Sequence, residues 1–302
     1  MRRKVQLELM GGIGNQMFIY AAGKWLSRKF GIAVSYDARL LSLEKVHGGL
    51  ITDMNITGSV ATLNGKWTIG RIVASVNRVI RTMTTNFGEK FKYGFFRPKV
   101  HVGGHDFELS YIEENRYKYV SAFFQSYRYG SEVLDELRVE YQLKSESNWL
   151  VEKRGLAKKS SILAIHVRQG DYLSLRDSFG VLSAEYYGNA IETLRHENFM
   201  WDEIWVFSDD VVRAKDMISD VLTKEKVSYI EPPEGTNPIE SLMLFSEATF
   251  GIIANSTFSW WACFLSRNMK AVLAPTVWFR SVTYPQDLIP DSWLRIPSLW
   301  QE

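Results

Sequence analysis

Apolar positions along the chain switch between two periods, and each switch marks the end of a strand or a helix. Val5 to Met10 alternates and stops at Gly11-Gly12-Ile13-Gly14-Asn15-Gln16. Met17, Ile19, Tyr20, Ala21, Ala22, Trp25, Leu26 and Phe30 then recur at helical spacing up to Gly31. Ile32 to Tyr36 reads as a second strand ending at Asp37, so the start of the chain predicts a βαβ unit. Tyr117 to Tyr127 reads as a strand with a polar exit, followed by a helix from about Ser131 to Tyr141. The stretch that organises the rest is Ser161 to Tyr172. It is a short apolar run, rich in branched side chains and ended by Gly170, which predicts a buried parallel strand. Beyond it, strands over 203–207, 227–230, 249–254 and 270–274 alternate with helices over 184–195, 211–219, 239–247 and 260–266, the last strand closing the sheet. Alternation of this regularity predicts parallel, doubly wound sheets.

The most polar long stretch, 142–160, predicts a helix and linker between two Rossmann-like domains, 1–155 and 156–302. Residues 38–120 carry fewer signals: helical spacing over 71–85 and an aromatic, basic run over 93–102 read as insertions over the first domain. A length of 302 residues with 46% hydrophobic and 23% charged suits two domains with separate cores. A formal net charge of +2 is too balanced for a nucleic-acid binder. No run approaches the roughly 18 apolar residues of a membrane span, and the start runs into a strand rather than a signal peptide. The expectation is a cytoplasmic protein without a transmembrane segment; the small cluster Arg2-Arg3-Lys4 reads either as a contact with anionic lipid at the inner face of the membrane or, more often for a few basic residues at a terminus, as nothing specific. Cys263 is the single cysteine, so no internal disulfide forms and packing is its expected role.

Ligands of open α/β sheets bind outside the carboxyl ends of the strands, which is where His166, Arg168 and Asp171 fall. Arg168 offers a planar fork of donors suited to two oxygens of one phosphate, and Asp171 can hold that fork; the alternative is a salt bridge closing a strand end. Asn255-Ser256-Thr257 stands at a strand-to-helix junction, where free N–H groups, the helix dipole and two hydroxyls make an anion site. Ser208 and Asp209 are acceptors at a third strand end, placed for a base or a ribose hydroxyl. Gln125 and Ser126 stand at a fourth and read as either a site or a satisfied turn. In the first domain Gly12, Gly14 and Asp37 partly match a dinucleotide fingerprint, but Met17 is too large for its third small position. Those glycines still admit a ligand to the backbone, and Asn15 reads as a donor and acceptor for it or as the helix cap. Trp260 and Trp261 suggest sugar stacking, yet consecutive helical positions cannot share a face, so at least one belongs to the core.

Six motifs, in order along nearly the whole chain, resemble the α-1,2-fucosyltransferases of glycosyltransferase family 11. They are Gly11 to Phe18, Phe124-Gln125-Ser126, His166 to Tyr172, Phe207 to Asp210, Asn255 to Trp261 and Ile289 to Trp293. The resemblance implies a GT-B architecture with an N-terminal acceptor side and a C-terminal donor side. It implies GDP-fucose as donor, inversion at the fucose C1, no metal ion or other cofactor, and the 2-hydroxyl of a terminal β-galactoside as acceptor, on a free or lipid-linked glycan of the O-antigen or capsule type. By the same resemblance Arg168 holds the diphosphate, Asn15 reaches the reacting centre, Ser256, Thr257 and Phe258 bind phosphate from the other side, and His166 and Asp209 contact the nucleotide. Asp37, Gln125 and Ser126 are then expected on the acceptor side. The acceptor hydroxyl must also lose its proton, and no single residue announces itself as base: Asp171 is one candidate, though its first task is to orient Arg168, and Asp37 is another.

Two departures from the family pattern stand out. Gln169 replaces a usual second arginine. Ser241 occupies the place of an aspartate at a helix start, with Glu240 one residue earlier, turned by about 100°; Glu240 is then the expected donor-side acid, and if that acid reads guanine the shift alters base selectivity. Two other classes compete. A nicotinamide oxidoreductase would use Gly12 to Asp37, and a non-catalytic carbohydrate-binding protein would suit 14% aromatic residues.

Overall fold

A computed structural model describes residues 4–39, 41, 49–62, 99–101 and 119–301. The helix expected over 71–85, and most of the run over 93–102, lie outside the described residues. Two units divide the chain: Met1–Tyr141 with Pro285–Leu288, and Gln142–Tyr284 with Ile289–Glu302. The boundary expected at 155/156 therefore moves to 141/142, because the polar linker helix packs within the second unit.

The first unit holds a parallel sheet of β1 (Lys4–Glu8), β2 (Ala33–Asp37), β3 (Ser59–Ala61), β4 (Lys99–His101) and β5 (Tyr119–Ser121), in the order β3-β2-β1-β5-β4. Lys99–His101, expected in an insertion, is thus an edge strand of the sheet itself. Helix α1 (Ile13–Phe30) starts at Gly12 and ends at Gly31, whose φ of 62° supplies the left-handed cap. Its middle is buried nearly all round, from Met17 to Ala22. Tyr20 stacks on Tyr36 at 4.7 Å, the Tyr36 hydroxyl donates to Tyr20 O at 3.0 Å, and Tyr141 donates to Met17 O at 2.7 Å. A Cβ on Gly23 would come within 2.3 Å of the Tyr36 hydroxyl, so helix and strand approach there only through a glycine. Two short helices, α2 (Tyr127–Ser131) and α3 (Leu134–Glu140), follow β5 where one was expected over 131–141.

The second unit opens with α4 (Asn148–Ala157), which packs on α7 (Ile239–Phe245). Its parallel sheet comprises β6 (Ile162–Val167), β7 (Glu203–Ser208), β8 (Val227–Tyr229), β9 (Phe250–Ile252), β10 (Ala271–Pro275) and β11 (Leu294–Ile296), in the order β11-β10-β9-β6-β7-β8. β10 does not close the sheet as expected; β11 pairs outside it. The central β6 is buried at every position, as a strand covered on both faces must be. Leu163, Ile165 and Val167 pack with Tyr186, Tyr187, Ala190 and Leu194 of α5 (Ala184–His196) and with Ala214 and Ile218 of α6 (Val211–Ile218). Helix α8 (Thr257–Leu265) follows β9. Both units are thus parallel α/β sheets with interleaved helices, the α/β class that the sequence predicts.

Candidate active site

In the second unit β6 ends in a compact electrostatic knot. Arg168 Nη2 donates to Asp171 Oδ1 at 2.5 Å, and Arg168 Nη1 lies 3.1 Å from Asp209 Oδ2. Asp209 Oδ1 also accepts from the backbone N–H of Gln169 at 2.9 Å. A Cβ on Gly170 would fall 2.2 Å from Asp209 Oδ2, so the strand can leave in this direction only through a glycine. The Arg168 side chain is 19% exposed and that of Asp171 is 47% exposed. The guanidinium lies 5.1 Å from the ring of Tyr172, whose hydroxyl donates to Asn255 O at 3.1 Å. Both Nη groups are engaged by carboxylates, while the buried Nε has no partner among the described residues. The two carboxylates hold the guanidinium plane in one orientation, a fixed cation with one donor still unspent.

The neighbouring strand end supplies the second donor group. Ser256 N donates to Ala254 O at 2.8 Å, a tight turn around Asn255, and Ser256 then caps α8 with no side-chain bond of its own. Asn255 Nδ2 donates to Phe179 O and Gly180 O, which ties the turn to the loop after β6. His166 lies beneath this helix start: Nδ1 is 2.9 Å from Ser259 Oγ, and its ring is 5.4 Å from that of Phe258. Burial first, and the Arg168 charge second, push its pKa down to about 3, so the imidazole is neutral at physiological pH.

Other expected donor residues have local tasks. The Ser208 hydroxyl bridges the N–H and C=O of Asp210, which caps α6. Glu240 is buried, and its two oxygens accept from Ser147 N at 3.1 Å and from the Ser147 hydroxyl. Gln169 spends its backbone N–H on Asp209 and its side-chain amide on Met217 Sδ, 3.1 Å away. Trp260 and Trp261 are both fully buried, Trp260 stacking on Phe264 at 4.6 Å, which removes the sugar-stacking idea. Thr257 and Phe258 form the first turn of α8.

In the first unit, Gly12 rather than Asn15 is the cap of α1; Gly14 and Asn15 are helical residues. Asn15 Oδ1 accepts from Gln125 Nε2 at 2.8 Å. Ser126 caps α2 and donates to Asp287 Oδ2 at 2.7 Å, and Arg128 Nε stands 3.2 Å from the same oxygen. Asp37 is gripped by Arg39 through both oxygens, at 2.8 and 2.5 Å, and accepts from the Tyr119 hydroxyl at 3.2 Å. Burial raises its pKa, but Arg39 outweighs burial and the net shift is downward. Sequence reasoning missed Gln16, which is fully buried, donates to Gly11 O at 3.0 Å and accepts from Ile51 N at 3.0 Å. The polar position inside an otherwise apolar helix start was the available signal. It also missed Ser147 and Asp287, which nothing local distinguishes. Among the described residues no cluster of three metal-ligating side chains occurs, and no helix is long and apolar enough to cross a membrane.

Within the second unit a clamped arginine and a helix start stand at adjacent strand ends, cationic and N–H donors of the kind an anion takes. The glycosyl transferase family 11 model matches residues 5–296, and the chain belongs to that family. It is 28% identical over 301 residues to an α-1,2-colitosyltransferase of Escherichia coli, covering 97% of this chain and 98% of that protein. It is 27% identical over 306 residues to the O-antigen biosynthesis glycosyltransferase WbnK of Escherichia coli, covering 95% and 99%. Among solved structures, the NodZ α-1,6-fucosyltransferase soaked with GDP-fucose matches 88% of this chain and 93% of its own at 12% identity, with a TM-score of 0.48.

Proposed function

We propose that this glycosyltransferase moves L-fucose from GDP-fucose to the 2-hydroxyl of a terminal β-galactoside, with inversion at C1 and without a metal ion or other cofactor. The acceptor is a galactose-terminated glycan of the O-antigen or capsule type, free or lipid-linked. The observation that carries the reading is Arg168, oriented by two carboxylates with its buried Nε unspent, beside the start of α8. As the C1–O bond breaks, its electron pair leaves with GDP, and negative charge grows on the diphosphate while the sugar becomes cationic. Fixed donors at those oxygens lower that barrier, and Arg168 with the N–H groups of Thr257 and Phe258 provides them. The neutral His166 packs under the helix start and adds no charge of its own. The acceptor hydroxyl attacks C1 and gives up its proton. Both aspartates offered as base are paired with an arginine, Asp37 with Arg39 and Asp171 with Arg168; Asp171 is much the more exposed of the two and is the better placed for that step.

The test is GDP release from GDP-fucose over a panel of β-galactosides, with chelator present and Arg168→Ala as control. Acceptor-dependent release is expected, falling on the order of a hundredfold or more in the variant, about 3 kcal/mol of transition-state stabilisation. Near-normal turnover by Arg168→Ala would sink the assignment, and chelator-sensitive release would overturn the metal-free mechanism. Product linkage by NMR decides the regiochemistry. The similarity to an α-1,2-colitosyltransferase supports a second donor, the GDP-activated sugar that lacks only the 3-hydroxyl of fucose. A higher kcat/KM for that donor than for GDP-fucose would replace the first reading by the second.

A further inference from the structure

The strongest unexplained arrangement lies at the exit of β5. Phe124 is a buried, bulky residue with φ 53°, a backbone conformation that costs energy and persists only when its surroundings impose it. Ser126 N donates to Phe124 O at 2.8 Å, so the chain turns tightly around Gln125. Ser126 is pinned in turn by Asp287. The strained turn delivers a side chain that is 3% exposed and makes one hydrogen bond, from Nε2 to Asn15 Oδ1, while its own Oε1 is buried without a partner among the described residues. A glutamine retained only for core packing would be better replaced by an apolar residue. The opposite side of Asn15 is shaped as closely. Gly11 has φ 68°, and a Cβ there would come within 2.7 Å of Asn15 Nδ2. No hydrogen bond leaves that Nδ2 among the described residues.

We propose that Gln125 is a positioning residue for Asn15. By donating to Oδ1 it fixes the orientation of the Asn15 amide, so that Nδ2, passing over the missing side chain of Gly11, is presented as a donor to a neutral oxygen of the bound sugar substrate. Gln125 itself does not touch the substrate: one of its two amide N–H groups is spent on Asn15 and the residue is buried. This replaces the acceptor-binding role expected for it. The inference rests on the reading that Asn15 reaches the reacting centre.

Two measurements decide it separately from that reading. In protein labelled with ¹⁵N at asparagine, the Asn15 side-chain amide signals are identified by their loss in Asn15→Ala. They should shift and exchange with solvent at least tenfold faster in Gln125→Met, and the carboxylate of Gln125→Glu, which cannot donate, should move them differently. Unchanged Asn15 signals in both variants would overturn the proposal whether or not the enzyme turns over. In the kinetic arm, Gln125→Met should lower kcat at least tenfold with donor KM within about twofold. The double variant with Asn15→Ala should be no slower than Asn15→Ala alone, as expected for residues acting as one unit. Fully additive losses would mean that Gln125 acts independently of Asn15. Full activity in Asn15→Ala would refute the role of Asn15 at the reacting centre, leaving the amide signals to judge the pairing.

Discussion

Arg168 illustrates how a single side chain becomes a site. Its charge alone would be an ordinary strand-end ion pair; Asp171 and Asp209 hold the guanidinium plane, and Gly170 lets Asp209 come close enough to do so. His166, two residues earlier and within β6, faces the opposite demand, because burial keeps it neutral. Its folded pKa of about 3 lies below the ordinary 6.5. Between those values the unfolded chain binds a proton that the folded chain refuses, so stability is lost as pH falls through 6.5 toward 3. At about pH 5 the loss amounts to about 2 kcal/mol. Replacing His166 by Gln should therefore flatten the fall in Tm between about pH 7 and about pH 5. An unaltered slope in calorimetry would show that His166 titrates normally.

Elements in the two units repeat one device. β5 exits through Phe124-Gln125-Ser126 into α2 and β9 exits through Ala254-Asn255-Ser256 into α8. In both, the serine N–H bonds back across an amide residue and the serine then caps the helix. In both, the amide carbonyl oxygen is buried without a partner among the described residues, which costs about 1–3 kcal/mol each and marks the turns as kept for position rather than stability. Helix α4 shows an element held by one residue. Ser147 accepts from Leu150 N as its cap and donates twice to the buried Glu240 at the start of α7. Ser147→Ala removes the cap and the hydroxyl donor to a buried carboxylate, so urea unfolding should show a loss of about 2–3 kcal/mol. A loss below about 0.5 kcal/mol would show that water replaces the hydroxyl at Glu240.

For the whole molecule, the expected donor side chains lie in the second unit and Asn15 and Gln125 in the first, which also takes in Pro285–Leu288 from late in the chain. A nucleotide bound by one unit should stabilise that unit by mass action. With GDP at about a hundredfold over its Kd, the gain is about 2.7 kcal/mol, seen as a raised Tm in calorimetry. Arg168→Ala should abolish the shift at the same GDP concentration. An equal shift in the variant would place the diphosphate elsewhere.

The alternation of periods and the glycine stops determined the strand–helix order, because backbone periodicity and turn chemistry are local properties. Arg168, the Asn255–Thr257 turn and the Gly11–Asn15 loop were legible for the same reason: each stands directly after an apolar run. Partners were not legible. That Asp209 reaches Arg168, that Ser147 occupies Glu240, that Gln125 holds Asn15 and that Trp260 packs in the core against Trp293 depends on residues between 33 and 110 positions apart in sequence meeting in space. The edge strands β4 and β11 escaped for a related reason. Three-residue strands carry too short a pattern to read, and only pairing with a longer neighbour makes them strands. Sequence thus determined which groups stand at strand ends; tertiary structure alone decided which of them are spent on one another and which, like Arg168 Nε and Asn15 Nδ2, have no hydrogen-bond partner among the described residues.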